Sequence, residues 1–370
     1  MEFNLKIFSI FRKRQHSLPF FLSLVLLPIS PITSADIKPY LTVESFSYSE
    51  PFSIKDTFDG WEGDFSRGER QWTWNWLEAG VRYDKWGIGV LTRYDYDLRF
   101  TKDTAEAIGL INNKEDLPVG RTFDVELEAN VINADAIRLS YRDQAFGVNY
   151  EIGVSYLYAD YMMDGDLAGQ LTPTAENDYE YRADVLYQYT EDILFDRPLS
   201  EDATGHGFAL DLSFRGQLSP ELSYYLEMRD LFARIYWTDL PYTDAEATSN
   251  RRGFDDDGYV DIDPAIQGFE GFHDDHTQKL DPRSRLKLEW QLQNQFTPTV
   301  DFRHQYAHLL YGVGSGYRFK GVNAELLYWP MSNSVSVNTQ IDAFQLGLMV
   351  DDTDWKNFKT LMLNVSYNHL

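Results

Sequence analysis

The stretch WGIGVLTRYDYDLRF, Trp86 to Phe100, decides the fold class. Every second residue of it reads Trp86, Ile88, Val90, Thr92, Tyr94, Tyr96, Leu98, Phe100, a face almost wholly apolar and aromatic. Between them stand Gly87, Gly89, Leu91, Arg93, Asp95, Asp97 and Arg99, mostly small or charged. Period two is that of a strand, because successive side chains leave a strand on opposite faces. Strands of soluble sheets are typically about 5–6 residues long, and this run is far longer. Rings at both ends of an aliphatic middle suit a strand facing lipid, since aromatic side chains settle at the membrane–water interface.

The pattern recurs along the chain. Apolar faces run through Leu77–Tyr83, Phe123–Tyr141, Phe146–Tyr158, Tyr179–Tyr189, Phe208–Phe214, Leu222–Met228, Leu286–Phe296, Val322–Tyr328, Phe344–Val350 and Leu361–Tyr367. Phe123 to Tyr141 keeps one phase throughout, which predicts a single strand whose first half stands above the membrane. Tight turns at 84–85 and 143–145 alternate with polar stretches at 101–120 and 159–178. Short turns on one side and long loops on the other are the habit of outer-membrane barrels, with the short turns periplasmic. That parity breaks after Tyr189, where 191–205 would be a long periplasmic link and the Ser219-Pro220 turn would fall outside. Either a strand is hidden near Ile193 or one external turn is short. The parity switch near Leu309 leaves 300–319 ambiguous, and Thr297-Pro298-Thr299 reads as a turn.

Backbone polar groups cannot go unpaired in lipid, so without apolar helices only a closed barrel spans a membrane. The expected fold is an all-β, closed, antiparallel transmembrane β-barrel of about 12 strands, with 10 to 14 as the range, because single-chain bacterial barrels have an even number. Mean hydropathy is −0.42, as expected where lipid-facing and lumen-facing residues average out. The last strand, Leu361, Leu363, Val365, Tyr367, resembles the closing signal of Gram-negative outer-membrane β-barrel proteins, departing from it at Asn368-His369-Leu370. The chain from Asp36 to Leu370 resembles that class, which includes the porins. The resemblance implies the outer membrane as location, surrounding lipids and lipopolysaccharide as partners, and the barrel-assembly machinery during biogenesis.

Residues 1–35 read as a secretory signal peptide: basic Lys6, Arg12, Lys13 and Arg14, an apolar Leu18 to Ile29, and small residues at Thr33-Ser34-Ala35. Residues 36–370 then form one barrel domain. The chain has no cysteine, which excludes a disulfide framework. The formal net charge is −25. The leader carries four basic residues and one acidic, Glu2, so its removal takes away +3 and leaves −28. Such a balance argues against nucleic acid, whose phosphates need clustered Lys and Arg. It suits a surface that meets divalent cations, and solubility of long loops explains it equally well.

The lumen-facing positions carry charge of both signs: Arg82, Arg93, Asp95, Asp97, Arg99, Glu126, Glu128, Arg138, Arg142, Arg182, Asp184, Asp211, Arg215, Glu227, Arg229, Lys287 and Glu289. Buried unpaired, such groups would be prohibitive, so they pair across strands or line water. A solvated lumen makes a channel whose charge rings set selectivity; a salt-bridged one makes a plugged scaffold. A large external loop is expected at about 240–284, with Tyr242 to Lys279 as its body. In it, Asp255, Asp257 and Asp261, with the Tyr259 carbonyl, resemble a calcium loop, in which alternate carboxylates converge around a glycine. Gly253 and Pro264 stand where an EF-hand has Asp and Glu, and a merely acidic loop is the other reading. His273 and His276 form a weak transition-metal pair, since zinc sites need three or four ligands. For catalysis, Asp95, Asp97, Asp274, Asp275 and His276 resemble fragments of an outer-membrane protease pattern, and His304 and His308 lack a neighbouring serine. Arg93 and Arg99 beside the aspartates favour a salt-bridge ladder.

The leading expectation is a porin-like channel for a small polar solute, without a cofactor. The alternative is a scaffold whose acidic loop binds a partner or polysaccharide through Ca2+. An outer-membrane hydrolase is the third reading.

Overall fold

Long alternating strands bury their backbone polarity only by pairing on both edges, and the computed structural model pairs them into a closed ring. It describes residues 37–176, 178–193, 203–249, 252–254, 260–262, 266–292 and 295–368; the leader expected at 1–35 lies outside them. In chain order β1 (Ile37–Ser49), β2 (Arg70–Tyr83), β3 (Trp86–Phe100), β4 (Phe123–Ala145) and β5 (Val148–Ala175) pair each with the next, all antiparallel. Then come β6 (Asp178–Tyr189), β7 (Gly205–Gln217), β8 (Leu222–Thr248), a small hairpin of β9 (Arg252–Phe254) and β10 (Val260–Ile262), and β11 (Ile266–Lys279). From β12 (Arg283–Trp290) the sequential pairing resumes through β13 (Phe296–Gln305), β14 (His308–Phe319), β15 (Val322–Trp329), β16 (Ser334–Ile341), β17 (Phe344–Val350) and β18 (Thr360–Asn368). The ring closes where β18 meets β1, from Tyr40↔Asn368 to Tyr48↔Thr360.

The break in parity after Tyr189 has a simple cause. β6 pairs with the upper part of β5 (Met163↔Tyr189) and β7 with its lower part (Ala159↔Gly205), while both pair with β8 on their other edge. They are two halves of one wall strand, separated in sequence by residues 190–204. Among the described residues of 190–204 there is no strand, and the Ser219-Pro220 turn stays with the other short turns. β11 and β12 likewise share one edge of β8, Lys279↔Arg234 and Arg283↔Arg229, across a break at Leu280-Asp281-Pro282. The sixteen strands of the sheet therefore occupy 14 wall positions, which corrects the expected 12.

The undercount has local reasons. β1 and β16 lack a strong apolar face of their own; β16 alternates Ser334, Ser336 and Asn338 with Val335 and Val337. The 300–319 ambiguity is a two-residue turn at Tyr306-Ala307, both in the left-handed region at φ 49 and 57, which flips the parity between β13 and β14. Thr297-Pro298-Thr299 is strand, not turn. The 159–178 stretch is not a loop either, since β5 runs on to Ala175 and turns at once into β6. Strand also continues through most of Tyr242–Lys279, leaving 249–265 as the link.

The lower outer face is an apolar belt. Ile88 is 53% and Val90 63% exposed to whatever surrounds the barrel, with Ile137, Leu139, Val154, Leu326, Val337 and Leu346. Rings gather at the short-turn end: Trp86 on Tyr141 at 4.8 Å, Phe344 on Tyr367 at 4.7 Å and Phe296 on Tyr317 at 5.1 Å. The upper outer face is different. Tyr96, Leu98 and Phe100 continue the phase of Ile88 and Val90 and yet are buried. They pack with Leu127, Ala129 and Val131 of β4 against the chain's own upper links. One link carries α1 (Ile54–Phe58) and Trp61, which meets Phe100 at 5.5 Å. The next carries α2 (Lys102–Asn112), capped by the Thr101 side chain accepting from the Thr104 N–H, and lays Ala105 and Ile108 on the cluster.

Candidate functional site

The bore is the place where chemistry could occur, and its lining is not what the charged residues alone suggest. On β2 the residues opposite the apolar Leu77–Tyr83 face are Trp72, Trp74 and Trp76, all buried. Phe46 and Tyr48 of β1, Trp237 of β8, Trp329 of β15 and Tyr306 join them in one cluster. Trp72 stacks on Tyr48 at 5.5 Å, and the Trp329 indole N–H donates to Ser336 Oγ at 2.9 Å. The tryptophans were absent from the expected lining. Their signal was present in the sequence, as period-two aromatics in phase with Glu78 and Arg82.

Below and among the rings runs a lattice of ion pairs. Arg93 pairs with Asp95 and donates through Nη2 to Asp230 Oδ2 at 3.0 Å; Arg283 Nη2 donates to the same oxygen at 2.8 Å. Arg229 reaches from β8 to Glu44 of β1 at 2.6 Å and holds Glu227 at 2.9 Å. Arg285 and Arg303 share Asp301 at 2.7 and 3.2 Å. Nearer the short-turn end, Arg138 gathers Glu78, Glu151 and Asp211 at 3.1–3.4 Å, with Arg82 and Arg142 on Glu151. Small residues make the room: a Cβ at Gly153 would collide with the Arg138 guanidinium, and one at Gly89 would lie 2.5 Å from the Tyr40 hydroxyl.

Several of these contacts cross the bore. Fourteen strands about 4.8 Å apart and tilted by about 40° would close a circle roughly 28 Å across. An arginine and a glutamate end to end bridge only about half of that. Arg229 and Glu44 stand on nearly opposite wall positions, as do Trp74 and Gln305, whose side chains hydrogen-bond. The wall there is drawn inward. β8 supplies the means: between Met228 and Arg234 it holds two more residues than β7 opposite, with Asp230 and Phe232 at φ 61 and 58. A cavity beside Arg229, Arg283 and Arg303 has about 40 Å³, room for a few waters.

The expected lining residues fall into two groups. Arg82, Arg93, Asp95, Asp97, Asp211 and Arg229 lie in this interior, joined by Arg99, Glu227 and, at the exposed lower end, Arg215 over the Tyr225 ring at 5.2 Å. Glu126, Glu128, Arg182 and Asp184 sit on the upward extension and are exposed; Arg182 there pairs with Glu246 at 3.0 Å. Glu44, Asp230, Arg283, Asp301 and Arg303 belong to the lattice without having been singled out; Glu44 and Asp230 find their arginines 185 and 137 residues away, and Asp301 and Arg303 lie in the stretch whose parity was ambiguous.

Among the described residues the candidate catalytic fragments are not brought together. Asp255 and Asp257 lie outside the described residues, as does the side chain of Asp261. Among the described residues no group of three or more potential ligands converges for a metal ion. His276 hydrogen-bonds Asp164 at 3.1 Å, and His273 stacks on Tyr242 at 4.3 Å. Asp95 and Asp97 are held by Arg93 and Arg99, as the ladder reading expected.

No protein-family model and no curated protein matches the sequence. Among solved structures, the chain is similar at 10% identity to a "TodX deltaS2S3 mutant monoaromatic hydrocarbon channel", with 91% of each chain covered and a TM-score of 0.43. It is also similar to the toluene transporter TbuX of Ralstonia pickettii, at 9% identity, 90% and 88% coverage and a TM-score of 0.29. A third is OccK8 (OprE) of Pseudomonas aeruginosa, at 9% identity, 90% and 98% coverage and a TM-score of 0.20.

Proposed function

We propose that the protein is an outer-membrane channel for a small polar solute, closed at rest by pairs of side chains across its own bore. Its apolar belt is solvated by lipid and lipopolysaccharide, its short turns face the periplasm, and the barrel-assembly machinery inserts it. The observation that carries the reading is the Arg229–Glu44 bridge. A charged contact between opposite walls is a gate that can open without unfolding the wall, because the strands' backbone hydrogen bonds are not involved. Removing the Glu44 charge takes away the cross-bore partner and leaves Arg229 to Glu227 on its own strand, so Glu44→Gln should favour open arrangements.

The test is conductance of the refolded mature chain in planar bilayers. The channel reading expects discrete steps that are rare in the wild type and frequent in Glu44→Gln. Silence from both, with heat-modifiable folded barrels on gels, overturns it.

A second reading has its own support. The same cross-bore contacts also describe a plugged scaffold that presents its upper links to a partner or surface polysaccharide. Deleting 249–265 should then abolish partner binding and leave the barrel folded; retained binding removes this reading.

A further inference from the structure

We propose that the outer face of β5, β7, β8 and β11 carries a docking site for the phosphate of a lipopolysaccharide. The site lies outside the bore. It rests on the outer-membrane placement proposed above and not on the channel.

Strand register assembles it. Two rows of outward side chains cross four neighbouring strands. The lower row is Tyr156, Phe208, Arg234 and Lys279, each directly opposite the next. The upper row is Tyr158, His206, Tyr236 and Thr277. All eight residues are exposed, Phe208 to 57% and Tyr236 to 51%. The rings touch: Tyr156 lies on Phe208 at 5.3 Å, and its hydroxyl hydrogen-bonds His206 Nδ1 at 2.8 Å.

Height decides what surrounds these rows. Val148 opens β5 beside a short turn, and Tyr158 stands ten residues further along. At about 3.4 Å per residue and a tilt of about 40°, that climb is about 26 Å, close to the height of a lipid-facing belt. Ile152 and Val154 fill the middle of the same face. The two rows therefore stand where the belt ends and head groups begin, away from the short turns. On the outer-membrane placement that level is the external leaflet.

The cation pair is what calls for a phosphate. Arg234 and Lys279 are directly opposed, and like charges so placed destabilise a sheet. Inside the barrel the chain supplies carboxylates to its arginines: Arg138, Arg229 and Arg285 each hold one within 3.1 Å. Among the described residues neither Arg234 nor Lys279 has an ion-pair partner. Carboxylates are not scarce, since Asp and Glu outnumber Lys and Arg by 58 to 33. The acidic residues nearest in sequence are committed or higher up: Asp281 is held by Arg99, and Asp275 stands opposite Thr238. Long basic side chains at a membrane edge lay their stems on apolar surface and their charges among head groups. A phosphate offers anionic oxygens to both cations at once. The exposed rings beside them suit the interface, where one end of a ring is apolar and the other wet.

The experiment titrates the immobilised, refolded mature barrel in detergent with bisphosphorylated lipid A, with dephosphorylated lipid A and with inorganic phosphate. Saturable binding of the bisphosphorylated lipid is expected, at least tenfold tighter than either of the others. The double variant Arg234→Gln/Lys279→Gln should bind it at least tenfold more weakly. Arg318→Gln/Lys320→Gln removes the same charge at the short-turn end and should change affinity less than twofold. Equal binding of the dephosphorylated lipid, inorganic phosphate bound as tightly as the lipid, unchanged affinity in the first variant, or equal losses in both variants overturns the proposal. If the first double variant is not heat-modifiable on gels, Arg234→Gln and Lys279→Gln are tested singly; a threefold loss in each supports the site, and unchanged affinity in both removes it. A barrel that inserts into lipid vesicles and ignores the phosphates keeps its membrane placement and loses this site. Failure to insert removes both.

Discussion

The lower and upper halves of β3 carry one alternation and meet different partners. Ile88 and Val90 point outward into the apolar belt, while Leu98 and Phe100, in the same phase of the same strand, lie under α2 and Trp61. A strand pattern shows that a face is apolar. It does not show whether lipid or the chain's own links cover that face. A second pair makes the same point: Val90 and Val119 are both 63% exposed, yet Val90 belongs to the belt and Val119 to the α2–β4 link above it.

The comparison can be broken by mutation. The largest effect is expected in the upper core, where Trp61→Ala empties a fully buried ring site and should cost about 3–5 kcal/mol. Urea unfolding in lipid vesicles measures it; a loss under 1 kcal/mol would mean that the upper links do not form a true core. Next comes Val90→Arg, which puts a charge into the belt and should cost about 2–4 kcal/mol near the membrane midplane. Its control, Val119→Arg, should stay within about 0.5 kcal/mol. Equal effects at the two valines would place both in the same solvent and remove the assignment of the belt. The smallest effect belongs to Thr101→Ala, which removes the α2 cap and should cost about 1 kcal/mol. It should raise amide exchange in α2 and leave the belt strands unchanged, and exchange spreading into β3 below Thr92 would show the two halves to be one cooperative unit.

Much of the barrel was legible because its cause is local. The turn at Asp84-Lys85, the single long strand from Phe123 and the turn at Ser219-Pro220 all follow from period two and turn chemistry. The joined identity of β6 and β7 was not legible. Their continuity is visible only along the edges of β5 and β8, each of which pairs with both, and no pattern within 178–217 records that. The bore was half legible. Arg93, Asp95 and Arg229 were expected there, but Trp72, Trp74 and Trp76 were passed over beside the apolar face they oppose.

By itself, the sequence determined that the chain is built of long two-faced strands, which face of each is apolar, and that lipid-grade pairing needs closure. Those properties arise from side-chain alternation and backbone hydrogen-bonding demand, both short-range. Only the tertiary structure decided that the ring has 14 positions, that β8 is drawn inward, and that Arg229 finds Glu44 across the bore. Glu44 and Arg229 are 185 residues apart, and such a distance in sequence becomes a contact only when every intervening strand has taken its place in the wall.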